Sequence, residues 1–373
     1  NGNRRHKIIS KYILTKFMNI HNKIFNNIFD CEPSHSSIAH SRVNLIGEHT
    51  DYTGGYVLPC LLPYKTTIFI AKNTSDKTYN AYSDFFKEKI SFTNFIKSSS
   101  NQWLDYIKGC LFVFYDENKK LENTHLNILI VSDIPIGRGI SSSSALCVAT
   151  LKSLNEYFNI GYDEKHIAIL AQKVERDYIG VSGGIMDQMV SSIGIHGKAF
   201  FLDCLNLKYE LLDIPQNWIF YLVDSEVQRN LRDSSYNERF NQLKEAESIL
   251  GVEYLGCVKS DSLNSKIFAN QTIFKRTHHV VTENERVLMA KNFLINNDIN
   301  KFGNLMNISH SSYSKDFEAS TKDVDLIVRK SLECGAIGCR LTGGGFGGFT
   351  VSLINKNNYE DWYNKMNKFY SSD

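Results

Sequence analysis

One segment constrains this chain more than any other: Asp133-Ile134-Pro135-Ile136-Gly137-Arg138-Gly139-Ile140-Ser141-Ser142-Ser143-Ser144-Ala145. The apolar, β-branched run Leu126–Val131 leads into it and reads as a strand. The small-residue run Ala145-Leu146-Cys147-Val148-Ala149 follows and reads as a helix. Between a strand and a helix, glycines let the backbone bend and approach a ligand closely. Serine hydroxyls and the amides of a helix N-terminus then face an anion. The segment therefore reads as a phosphate cradle in a fold that mixes strands and helices. It is not a Walker loop, because no G-K-[ST] is present. A flexible Gly/Ser linker is the competing reading, and the tight bracketing argues against it.

Two further segments concentrate chemistry. Leu341-Thr342-Gly343-Gly344-Gly345-Phe346-Gly347-Gly348-Phe349 leads into a strand-like run and again implies close backbone approach, with a structural turn as the alternative. Arg42-Val43-Asn44-Leu45-Ile46-Gly47-Glu48-His49-Thr50-Asp51-Tyr52 gathers Arg, Glu, His and Asp in one short stretch. Such a cluster can hydrogen-bond several hydroxyls of a polyol. A solvated charged turn would fit poorly beside Tyr56-Val57-Leu58.

The length of 373 residues suits roughly two domains. A net charge of +2 supplies no basic field for nucleic acid. No apolar run approaches the ~20 residues of a membrane helix. The start, with Lys11, Lys16 and Lys23 among apolar residues, reads as a surface helix and not as a targeting signal. The chain opens on Asn1, so its native start need not lie here. None of the 8 cysteines falls in a C-x-x-C pair and most sit in apolar runs, which points to reduced core residues of a cytoplasmic protein.

Strands are expected at Thr67–Ala71, Leu126–Val131, Lys198–Leu202, Ile219–Val223 and Phe349–Ile354. Helices are expected from Asp163 to Gly180, from Ser234 or Ser235 toward Leu250, after Thr282, and from Asp323 to Gly335. The order implies an α+β protein with mixed sheets. Leu205–Asn217 is the candidate domain junction.

Taken together, these segments resemble the galactokinases of the GHMP kinase superfamily. The serine cradle and the glycine-rich segment look like that superfamily's second and third motifs, and Arg42–Tyr52 is similar to the galactokinase signature almost letter for letter. Further matches are Trp103-Leu104-Asp105-Tyr106-Ile107-Lys108-Gly109, Gly184-Ile185-Met186-Asp187-Gln188, His279-Val280-Val281-Thr282-Glu283-Asn284-Glu285-Arg286 and the looser Asp316-Phe317-Glu318-Ala319-Ser320. The resemblance implies a two-lobed body. Residues 1–214 would form an N-terminal lobe with a mixed sheet and helices, and residues 215–373 a C-terminal lobe with an antiparallel sheet and helices.

It also implies transfer of the γ-phosphate of ATP to the anomeric hydroxyl of galactose, by a monomer acting on small molecules. The sugar would be held by Arg42, Glu48, His49, Asp51, Gly184, Asp187 and Tyr236. Asp187 would take or orient the hydroxyl proton, and Arg42 would counter the charge on the moving phosphoryl group. ATP would lie on Gly137, Gly139, Ser141, Ser142, Ser143 and Ser144, with Trp103 and Tyr106 near the adenine. Mg²⁺ would be held by Ser143 and Glu175. The family usually has Pro-Gly where this chain has His40-Ser41, and a small residue where it has Arg138; its closing C-terminal strand is not met before Asp373. The remaining alternatives are a kinase for N-acetylgalactosamine or another galactose-like sugar, and a non-catalytic sugar and ATP sensor; the full-length serine run favours an enzyme.

Overall fold

All five apolar runs expected to be strands are strands in the computed structural model, which describes residues 17–98, 102–121, 124–227 and 232–371. Helix α1 is described over residues 17–29. Then come β1 (His35–Asn44), β2 (Tyr56–Val57), β3 (Pro59–Lys72), β4 (Tyr79–Ser83) and β5 (Glu88–Phe92). Next are α2 (Gln102–Glu117), β6 (Leu126–Ser132), α3 (Ser142–Phe158), α4 (Glu164–Lys173) and α5 (Met186–Ile193). The chain continues through β7 (Lys198–Asp203), β8 (Lys208–Asp213), β9 (Trp218–Asp224), α6 (Arg232–Leu250), α7 (Gln271–Ile295) and α8 (Ile299–Lys315). It closes with α9 (Lys322–Glu333), β10 (Gly338–Leu341), β11 (Phe349–Asn355) and α10 (Tyr359–Tyr370). Lys11 and Lys16 of the expected surface helix lie outside the described residues.

The chain packs as two compact units. The first takes residues 1–40, 64–134 and 143–180; the second takes 41–63, 135–142 and 181–373. The expected lobe boundary after residue 214 falls inside the second unit.

In the first unit β3 runs antiparallel to β6, from Thr66 opposite Ser132 to Lys72 opposite Leu126. β6 lies parallel to β4, and β4 antiparallel to β5, so the sheet is mixed. Phe25 and Phe29 of α1 pack on Phe69, Ala71 and Leu129 of that sheet. Helix α4 begins as expected, with Asp163 accepting from the His166 amide, but it does not run regularly to Gly180. Val174–Ile179 is a π-helical turn, closed by Gly180 in the left-handed region at φ 88°.

In the second unit β7 pairs with β2 and β8, and β9, β11 and β10 form a separate antiparallel sheet. Leu205–Asn217 holds β8, which pairs with β7 along its length. One expectation is corrected here. The helix expected after Thr282 starts at Gln271, capped by the Asn270 side chain on the Thr272 amide. One core of this unit joins Leu45, Ile46 and Leu58 to Val287, Phe302 and Met306; another joins Tyr52 to Val280, Tyr313, Phe317 and Leu341. Both cores press helices α7 and α8 against the segment that carries Arg42–Tyr52.

Candidate active site

The second unit brings Arg42 to Asp187 across 145 positions of sequence. Arg42 lies in the buried last stretch of β1, Ser41–Asn44, and Asp187 lies in the first turn of α5. Arg42 Nε and Nη2 each donate to one oxygen of the Asp187 carboxylate at 2.6 Å. Its Nη1 donates to the Gly139 carbonyl at 3.0 Å, so the same guanidinium also holds the cradle loop. The Ser141 hydroxyl donates to Asp187 Oδ2 at 2.5 Å from a left-handed backbone at φ 65°. Burial opposes the charge on Arg42, but Asp187, with Glu48 and Asp51, outweighs it and raises the Arg42 pKa above its usual range. This bidentate, mostly buried pair fixes one carboxylate beside a cation with little freedom to turn.

Asp51 is treated differently. Its pKa is pushed up to about 7, first by burial, then by the charges of Asp187 and Glu48, against smaller opposition from the Tyr52 amide and Arg42. Gly184 explains part of the crowding: a Cβ there would stand 2.2 Å from Asp51 Oδ2. No side chain larger than hydrogen fits at that position while Asp51 keeps its place.

Glu48 and His49 are committed to protein partners. Glu48, 3 % exposed, accepts at Oε1 from Arg340 Nη1 (3.0 Å), the Thr342 hydroxyl (3.2 Å) and the Gly343 amide (3.1 Å). His49 sits between Tyr52 and Tyr313, with Nδ1 2.7 Å from one hydroxyl and Nε2 3.0 Å from the other. Tyr236 packs its ring 5.3 Å from that of His49. Arg138, which departs from the family pattern, pairs with Asp224 at 3.2 Å. Gly137 and Gly139 flank it with φ of 74° and 78°.

In the first unit, Ser143 and Ser144 open the body of α3 and both point at Glu175 of the π-helical turn. Ser143 Oγ donates to Oε1 at 2.6 Å and Ser144 Oγ to Oε2 at 2.8 Å. Glu175 is 8 % exposed. A π-turn displaces side chains from the regular helical stripe and recurs at functional sites. Among the described residues no group of three or more His, Cys, Asp or Glu could hold a metal by itself. A hydroxyl and a carboxylate do suit Mg²⁺, which takes few protein oxygens and completes its shell with phosphates and water. Trp103 lies at 6.3 Å and 19° from Phe86 in a stacked pair, and Tyr106 is half-buried on the same helix α2. Ser142, half-buried, is the first residue of α3.

Three residues were given no role by the reading of the sequence. Arg340, fully buried, holds the Asn44 and Leu45 carbonyls as well as Glu48. Glu283 accepts from the Gly47 amide, the Ser309 hydroxyl and Arg286, and so pins the start of the signature turn. Tyr313 reaches both His49 and the Gly343 carbonyl. Glu283 and Arg286 lay in a segment already matched to the family; an arginine inside the strand before Gly343 was the available signal for Arg340.

Similarity to known proteins identifies the family. Residues 105–194 match the GHMP kinases N-terminal domain and residues 289–372 the GHMP kinases C-terminal domain. Residues 23–72 match the galactokinase galactose-binding signature. A galactokinase of Fusobacterium nucleatum subsp. nucleatum is 37 % identical over 87 % of this chain and 86 % of its own. One from Pyrococcus furiosus is 36 % identical over 84 % of this chain and 87 % of its own. The crystal structure of Lactococcus lactis galactokinase complexed with galactose superposes with a TM-score of 0.89 at 29 % identity, covering 95 % of both chains. Methanococcus jannaschii mevalonate kinase, at 20 % identity and a TM-score of 0.66 over 90 % of this chain and 95 % of its own, shares the fold.

Proposed function

The chain belongs to the galactokinases of the GHMP kinase family, and from that premise we propose that it transfers the γ-phosphoryl group of ATP to the anomeric hydroxyl of galactose. In this reading the sugar oxygen forms the new bond to phosphorus as the bond to the bridging oxygen of ADP breaks. Asp187 takes or orients the proton of the attacking hydroxyl, and Arg42 counters the charge that spreads over the phosphoryl oxygens. The observation that carries the reading is the bidentate Arg42–Asp187 pair, with Ser141 of the cradle donating to the same carboxylate. It sets a proton acceptor, in the region matched to the GHMP kinases N-terminal domain, beside a fixed cation in the segment matched to the galactose-binding signature. Phosphoryl transfer needs mostly such positioning and charge neutralisation, without a covalent intermediate.

Asp51, Gly184 and Tyr236 complete the sugar pocket in this proposal. Ser143 and Glu175 would hold Mg²⁺, which neutralises phosphate charge when bound. Gly137, Gly139, Ser141, Ser142 and Ser144 line the phosphates, and Trp103 and Tyr106 face the adenine. The same reading makes the chain a cytoplasmic monomer, in keeping with eight unpaired cysteines.

Coupled ATP turnover with Mg²⁺ against galactose, N-acetylgalactosamine, arabinose, glucose and galacturonate tests it, with Asp187→Ala as control. Galactose is expected to be the best substrate, with turnover lost in the control. A chain that binds galactose, seen as a raised melting temperature, yet turns over no sugar would overturn the enzymatic reading.

A further inference from the structure

Gly343 opens the glycine-rich segment, and both of its peptide groups are engaged by consecutive residues of the signature segment or by a residue touching them. Its amide donates to Glu48 Oε1 at 3.1 Å. Its carbonyl accepts from the Tyr313 hydroxyl at 2.9 Å, and that hydroxyl lies 3.0 Å from His49 Nε2. Tyr313 is 0 % exposed and His49 4 %, so water does not stand in for these partners.

Proton counting fixes the direction of the bonds at Tyr313. A carbonyl only accepts, and a phenol has one proton to give. Tyr313 gives it to Gly343 and therefore receives at its oxygen, so His49 Nε2 carries hydrogen. On a neutral ring Nδ1 is then the acceptor, and the Tyr52 hydroxyl at 2.7 Å supplies the proton. His49 also sits at φ 63°, a left-handed conformation that a residue bearing a Cβ keeps only where its surroundings hold it. The two phenols and the Phe317 ring, 4.4 Å away, are that hold.

We propose that Tyr313 is a positioning residue for phosphoryl transfer: it locks His49 as the neutral Nε2–H tautomer and ties the sugar signature to Gly343. The His49 ring then serves the shape of the signature turn and not the sugar itself. The kinetic consequence rests on the galactokinase reading; the tautomer does not.

Histidine-selective ¹⁵N labelling with a long-range ¹H–¹⁵N correlation reads the tautomer in the intact protein, with His49→Gln assigning the signal. A single neutral Nε2–H form, unchanged on adding galactose, is expected. An Nδ1–H or charged ring, or a ring signal that leaves the Nε2–H form when galactose binds, overturns the proposal. Tyr313→Phe keeps the ring and removes the hydroxyl. It is expected to lose the single tautomer and to raise the KM for galactose about tenfold, with an unchanged far-UV circular dichroism spectrum. A folded Tyr313→Phe with the wild-type tautomer and KM also overturns it. If the wild type fails to phosphorylate galactose, the galactokinase reading falls, while the tautomer outcomes still decide the role of Tyr313.

Discussion

Asp51 and Glu283 are carboxylates of the same unit, one half-buried and one fully buried, and the protein treats them in opposite ways. Burial is the largest influence on each and by itself would raise both pKa values. Around Glu283 the Arg286 and Arg340 guanidiniums, His279 and the Ser309 hydroxyl more than cancel it, and its pKa falls well below the usual carboxylate range. Around Asp51 burial is reinforced by the charges of Asp187 and Glu48, which outweigh Arg42, and its pKa rises to about 7. Glu283 has its lone pairs filled by the Gly47 amide, Ser309 and Arg286, while among the described residues no cation forms an ion pair with Asp51. A fold that satisfies one buried acid so fully and leaves its neighbour short has separated two tasks. Glu283 holds the signature turn, and under the proposed function Asp51 is the acid left to meet the hydroxyls of a ligand.

The largest expected effect breaks the satisfied side. Glu283→Ala leaves Arg286 buried without its acid and frees the Gly47 amide; removing one partner of a buried pair costs about 3–5 kcal/mol. Urea denaturation of the two proteins measures it, and a loss below about 1 kcal/mol would erase the contrast with Asp51. On the other side, Asp51→Asn removes a charge that already faces Asp187 and Glu48, so folding stability should hold or rise. Its cost should appear as an increase in galactose KM of about tenfold to a hundredfold, the worth of a lost charged hydrogen bond. Steady-state kinetics at saturating ATP decides this, and an unchanged KM would remove Asp51 from the sugar pocket.

The pH dependence of stability should show the two acids with opposite slopes. Asp51 has a folded pKa of about 7 against a reference of 3.8, so its contribution is present below the reference value and is lost as pH rises toward 7. Glu283 has a folded pKa below its reference of 4.5, so its contribution is present above that value and is lost as pH falls below it. Denaturation midpoints of the unliganded protein between pH 4 and pH 7 should therefore lose a downward trend in Asp51→Asn and keep it in Glu283→Gln. Identical profiles for both variants would mean that burial alone sets these groups.

How much of this was legible follows from the kind of pattern each part leaves. The strands announced themselves through β-branched runs such as Thr67–Ala71. Helix α7 did not, because its first half buries Arg276, Thr277 and His279, and the code of apolar spacing is silent where polar residues face inward. Strand β8 was hidden for the opposite reason: its residues are mostly exposed, so no apolar alternation marks it. At the site, Arg42, Asp187 and the serine cradle were found through motif resemblance. Local patterning could not join Arg42 to a partner 145 positions away. Ser143 and Glu175 were paired in the same way, although the π-turn that aims Glu175 left no trace in composition. Arg340 and Tyr313 were missed because a buried arginine and a buried tyrosine look, in sequence, like a strand residue and a core aromatic.

Arg138 and Asp224 extend the comparison to an acid that solvent still reaches, and the effect expected there is the smallest. Their side chains are 41 % and 32 % exposed, and the pair spans 3.2 Å. Exposed pairs of this kind contribute less than about 1 kcal/mol and weaken as salt screens them. Arg138→Ala should therefore shift the urea midpoint slightly at low salt and not at all at high salt. The position has a second meaning, since Arg138 stands between two left-handed glycines of the cradle. If Asp224 holds the guanidinium, the KM for ATP should change by less than about fivefold, the same scale as the stability effect. A larger rise in ATP KM with unaltered stability would show that the guanidinium leaves Asp224 for the nucleotide. In that case the ordering by burial would stop predicting which charges are structural, because an exposed pair would be giving up its cation to a ligand while the buried Glu283 keeps its own.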